Sequence, residues 1–83
     1  MPAMRAKFYI TGIEQFGEPV TQERVSFSAV GKSGSYGDDG LDEDNTYARY
    51  SPSGSLSLTI ANPALLGKFT VGEKFYLDFE PAE

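Results

Sequence analysis

The chain has 83 residues, 12 acidic and 7 basic, a net charge of −5, and neither cysteine nor histidine. That length predicts one small domain. The missing residue types exclude disulfides and thiolate metal sites and remove the commonest metal ligand and general base.

The acidic balance disfavours generic binding to phosphate backbones and anionic lipid. A composition 40% hydrophobic and 13% aromatic is that of a globular chain. The apolar runs are far short of the roughly 20 residues that a membrane span needs. Met1-Pro2-Ala3-Met4-Arg5 lacks the apolar core of a secretory signal, and the lack of cysteine fits a reducing compartment. A domain this small buries only about 60% of its unfolded surface. With disulfides and metal set aside, assembly with a partner is the remaining staple.

Residues 6–13 alternate, with Ala6, Phe8 and Ile10 on one side and Lys7, Tyr9 and Thr11 on the other. That is the pattern of a half-buried strand, and Gly12 marks a bend or bulge in it. Residues 15–21, with Gly17 and Pro19, read as a turn. Residues 24–30 alternate again, with Val25, Phe27 and Ala29 opposite Ser26 and Ser28, so the two strands are expected to pair as a hairpin.

Residues 31–45 differ in character. A Gly/Ser stretch, 31–37, leads into Asp38, Asp39, Asp42, Glu43 and Asp44. We expect a flexible acidic loop here, and a binding role for it. Compact domains rarely keep a structureless loop of about 15 residues unless it is functional or disordered.

Residues 46–50 read as a short aromatic strand. Residues 51–54 read as a turn, with Pro52 and Gly54 in typical positions. Residues 55–61 form the cleanest pattern, with Leu56, Leu58 and Ile60 inward and Ser55, Ser57 and Thr59 outward. Asn62 as N-cap, Pro63 at the first helical position and Gly67 at the left-handed C′ position predict one helical turn over 62–67. Leu65, Leu66 and Phe69 would plug one end of a sheet or barrel. A turn at 71–73 leads into a last strand over 74–80, which Pro81 ends. The expected fold is therefore all-β: one domain over 1–83, a small barrel or sandwich of about five strands, an OB-like barrel preferred.

The chemistry-bearing patterns are weak. An EF-hand needs glycine at position six of its loop; counted from Asp38 or Asp42, that position holds Glu43 or Tyr47. The acidic loop then reads as solvated, or as an arm that docks on a basic partner surface. Asp78 and Glu80 share a strand face, without the cleft a carboxylate pair would need. No histidine activates a serine or threonine. Gly31-Lys32-Ser33 lacks the upstream glycine of a phosphate-binding loop. Tyr9, Tyr47, Tyr50 and Tyr76, with Arg5, Lys7, Arg49 and Lys74 near them, form one nucleic-acid constellation. Its competing reading is aromatic pairing within a small β core. No catalytic, cofactor or metal-binding residue is assigned.

The blocks Tyr50-Ser51-Pro52-Ser53-Gly54-Ser55 and Asn62-Pro63-Ala64, with the closing Phe75-Tyr76-Leu77-Asp78-Phe79-Glu80-Pro81-Ala82-Glu83, resemble small acidic proteins of tailed bacteriophages, some of them associated with the capsid region. The resemblance implies a non-enzymatic virion protein, a decoration or cement protein on the capsid exterior, made in the host cytoplasm. It would bind and stabilise the shell of the major capsid protein, as a homo-oligomer, by analogy a trimer, with no nucleic-acid or membrane partner and no cofactor. Contacts are expected from residues 1–7, the acidic loop and strand edges; the candidate partner-binding residues are Met4, Arg5, Lys7, Tyr36, Asp38, Asp39, Leu41, Asp42 and Tyr47. The alternative is an OB-like single-stranded nucleic-acid-binding protein of phage replication that stacks bases on Tyr9 and Tyr76. A third reading is a small regulator of a host protein.

Overall fold

The structure, a computed structural model, describes residues 3–82. Four strands, β1 (Met4–Phe16), β2 (Gln22–Ala29), β3 (Ser55–Ile60) and β4 (Lys74–Phe79), form one antiparallel sheet in the order β3-β2-β1-β4. The fold is all-β, with no helix among the described residues.

Period-two patterning makes the sheet two-faced. Ala6, Phe8, Ile10, Val25 and Phe27 are buried on one face, where Leu56, Ile60, Phe69, Phe75 and Leu77 pack against them. Ile10 and Ile13 are three residues apart, so an unbroken strand would place them on opposite faces. The β1–β2 register shifts between Ile10 and Gly12, as the sequence predicted, and this bulge returns Ile13 to the apolar side.

The last strand pairs with the first, Met4 opposite Phe79 and Tyr9 opposite Lys74. The chain must therefore cross from β3 at one edge to β4 at the other. The crossover packs Phe69 edge-on against Phe75, with ring centroids 5.8 Å apart. The buried Glu23 holds it in place: Oε1 accepts from the Gly67 N–H at 3.1 Å, and Oε2 accepts from Gln15 Nε2 at 2.9 Å.

Three expectations are corrected. There are four strands rather than five, because residues 46–50 contribute only one isolated bridge, Leu41 to Arg49. The helical turn over 62–67 does not form. Asn62 Oδ1 does accept from the Ala64 N–H at 3.0 Å, as a cap would. A single turn gains too few bonds to cover the cost of nucleation, and Gly67, at φ 74°, sends its N–H to Glu23 instead. The barrel or sandwich is replaced by one open sheet: closure needs its outer strands to pair, yet β3 and β4 lie at opposite edges. The molecule is accordingly thin, 52 × 32 × 16 Å, with a radius of gyration of 15.0 Å, against about 12 Å for a compact chain of this length.

Candidate functional site

The loop between β2 and β3 was expected to be flexible, and it has a defined path built on two buried polar residues, Asp42 (2% exposed) and Asn45 (0%). Asp42 Oδ1 accepts from the backbone N–H groups of Asp44 (2.8 Å) and Asn45 (3.1 Å). Its Oδ2 accepts from the Lys32 N–H and Asn45 Nδ2, both at 3.1 Å, and from the Tyr36 hydroxyl at 3.4 Å. Burial opposes ionisation of Asp42. The bonds from Asn45, Asp44 and Lys32 outweigh it and hold the carboxyl below the usual carboxylate range.

Asn45 ties this hub to the sheet. Its Oδ1 accepts from the Lys7 N–H at 2.7 Å, and its Nδ2 donates to the Val30 carbonyl at 2.8 Å. Thr46 continues the seam: its N–H donates to Arg5 O at 2.9 Å, and its hydroxyl accepts from the Arg5 N–H at 2.9 Å. β2 pairs with β1 only as far as Phe8. The loop thus supplies the hydrogen bonds that the N-terminal end of β1 would otherwise lack on that side.

Beyond the hub the loop tip closes on itself. The Arg49 guanidinium donates to Asp39 O at 2.6 Å, and the Tyr50 hydroxyl to Asp38 O at 3.2 Å. Tyr50 sits at φ 59°, an uncommon conformation for a bulky residue. Its ring lies so close over Gly40 that a Cβ there would fall 2.6 Å from it. Leu41 and Tyr50 remain 56% and 53% exposed, among the exposed side chains of Asp38, Asp39 and Glu43. Beside them lies an open depression of about 480 Å³, lined in part by Lys32, Asp39, Leu41, Asp42 and Glu43. Lys32 Nζ pairs with Glu43 at 3.1 Å.

The expected binding residues therefore divide. Arg5 and Lys7 meet the loop along β1, and Lys7 Nζ lies 3.4 Å from Asp44. Asp38, Asp39 and Leu41 form the tip. Asp42 and Tyr36 belong to the interior scaffold, and burial, followed by the Asp42 charge, raises the Tyr36 hydroxyl above its ordinary value. The Tyr47 hydroxyl approaches Gly54, as does the Phe8 ring. Met4 pairs with Phe79 at the other side of β1. Met1 and Pro2, part of the expected N-terminal contact segment, lie outside the described residues, as does Glu83. Sequence reasoning placed Asn45 in the loop without giving it a role, and left Tyr50 outside the loop. The signal for Asn45 was the Asp-x-x-Asn spacing at 42–45, because an Asp side chain readily accepts from N–H groups two and three residues on.

The aromatic and basic set meets on the opposite, polar face of the sheet. Arg5 lies over the Tyr76 ring at 4.5 Å and Lys7 at 5.9 Å, while Tyr9 pairs with Lys74. Carboxylates answer both cations: Asp78 binds Arg5 through two bonds, 2.7 and 3.1 Å, and Asp44 binds Lys7. Tyr47 and Arg49 lie apart from this group, in the loop. Among the described residues no three acidic side chains converge as a metal site would require. No protein-family model, curated protein or solved structure matches the chain.

Proposed function

We propose that this chain is a non-enzymatic structural protein that attaches to the outside of a tailed-phage capsid and reinforces its shell. The observation that carries this reading is the loop tip: Leu41 and Tyr50, exposed in a segment that also exposes Asp38, Asp39 and Glu43, on a base fixed by Asp42 and Asn45. An apolar centre with a polar rim is the anatomy of a protein interface. A loop already held in shape loses less conformational freedom on binding. The exposed acids select a partner surface with basic side chains, through complementarity that also speeds encounter.

The test is co-sedimentation with purified capsids that lack the protein. Saturable binding at a fixed ratio to the shell subunit is expected, weakened about tenfold or more by Leu41→Ala, the loss typical of a central anchor. Particles that never retain the chain, alone or by mass spectrometry of native virions, would refute the reading. The nucleic-acid reading keeps one supporting observation, the shared face of Tyr9, Tyr76 and Lys74. It takes over if single-stranded oligonucleotides bind in a salt-sensitive way that Tyr76→Ala abolishes.

A further inference from the structure

Charge is unevenly distributed along this chain. Residues 51–67 contain no Asp, Glu, Lys or Arg, so all 12 acids and 7 bases lie outside them. The fold places the middle of this stretch, β3, at one edge of the sheet, and its ends lead into the loop and the crossover. β3 pairs with β2 on one side in an unbroken register, and among the described residues no strand pairs with its other side. Proteins normally protect such an edge with a charge, a proline or a bulge, and Ser55–Ile60 has none of these. The opposite edge, β4, carries Lys74 and Asp78.

We propose that β3 is a self-association edge, where two copies of this chain pair antiparallel about a twofold axis to make one continuous eight-stranded sheet. The inference does not rest on the capsid reading, and its twofold pair stands in place of the trimer that the resemblance implied. Copies of a chain with net charge −5 repel one another, and a charge-free edge is where they meet at least electrostatic cost. The exposed surface of 5785 Å² exceeds by about 900 Å² that of a compact monomer of this mass. That excess is the surface of an open sheet, and exposed Leu58 is the part of it that lies on β3.

The hydrogen-bond pattern fixes the register. Ala29 N–H donates to Gly54 O, so the alternation of an antiparallel ladder turns the peptide groups of Leu56, Leu58 and Ile60 towards β2 and those of Ser57 and Thr59 outward. Centring the axis on Leu58 pairs Ser57 of one copy with Thr59 of the other through those free groups. It also places Leu56 opposite Ile60 and Leu58 opposite itself on the apolar face. Leu58, 49% exposed although it lies on that face, is covered in this way.

Sedimentation of the whole chain over about 1 to 200 μM, which reaches past the weak, micromolar end of interface affinities, should show a species of twice the 9.0 kDa chain mass. Ser57→Pro removes an outward N–H without touching the ladder to β2, and should weaken dimerisation about tenfold or more. Tyr76→Pro, the matching change on β4, should leave it unaltered. Because the chain has no cysteine, Leu58→Cys gives a second readout that needs no equilibrium. Non-hydrogen-bonded partners lie about 4.5 Å apart at Cα, within disulfide reach, so mild oxidation should yield a covalent dimer that Tyr76→Cys does not. A monomer throughout the range, a trimeric mass, association insensitive to Ser57→Pro, or equal cross-linking by both cysteines would overturn the proposal.

Discussion

The sheet buries Ile10 and Val25 at the centre of an apolar cluster, while the loop over residues 31–50 buries Asp42 and Asn45 at the centre of a hydrogen-bond network. The two regions touch along β1, yet they answer to different physics. Apolar burial is non-directional and scales with area, so the sheet tolerates loose geometry and a thin, half-open face. A polar hub depends on every partner, because a buried group left unsatisfied carries its full desolvation penalty. Order in an acidic, glycine-rich segment thus comes from a few directional bonds to the backbone, without an apolar core of its own.

Damage to the sheet should reach both regions. Ile10→Ala should cost about 2–4 kcal/mol, a fall in melting temperature of about 10–25 °C by circular dichroism, with loop and sheet lost together because the loop leans on β1. Asn45→Ala sharpens the distinction. It removes the acceptor for the Lys7 N–H and the donor to Val30 O, at a cost of about 1–3 kcal/mol. Hydrogen exchange should speed up at Lys7 and across residues 31–50 while amides between β2 and β3 stay protected. Equal loss of protection in both regions would mean that the loop and sheet form one cooperative unit.

The gentlest probe is acid. The folded Asp42 carboxyl lies below its unfolded value, so its contribution is fully present above the unfolded value and fades as pH falls through the folded one. Below about pH 4 the amide resonances of Lys32, Asp44 and Asn45 should move together while β2–β3 signals hold. Asp42→Asn should abolish that transition.

Legibility in the sequence followed the same divide. β1, β2, β3 and β4 were readable because strict alternation specifies which side of a strand is buried, and Gly12 marked the bulge. Residues 46–50 misled because Tyr47 and Tyr50 favour strands, whereas their backbone is committed to the hub and to the turn over Gly40. Asn62, Pro63 and Gly67 were good capping residues around too short a segment. The openness of the sheet was illegible because it depends on which strand neighbours which, and β4 chose β1. In the loop, Asp42 looked like one carboxylate among five. What sets it apart is Asn45, whose side chain reaches strands that lie near it only after folding.

The pairing of Met4 with Phe79 has a practical consequence. Anything joined ahead of β1 or behind β4 departs from the same corner, which is separated from β3 by the width of the sheet, about 14 Å. Fluorophores or fused domains at either position should leave the β3 edge unobstructed. In a pair joined at Leu58 they would sit at opposite extremities of the sheet, so the two cargoes would be carried apart. A linker from residue 79 back to residue 4 would be short enough to permit a rearranged gene whose product opens at the β1–β2 turn instead.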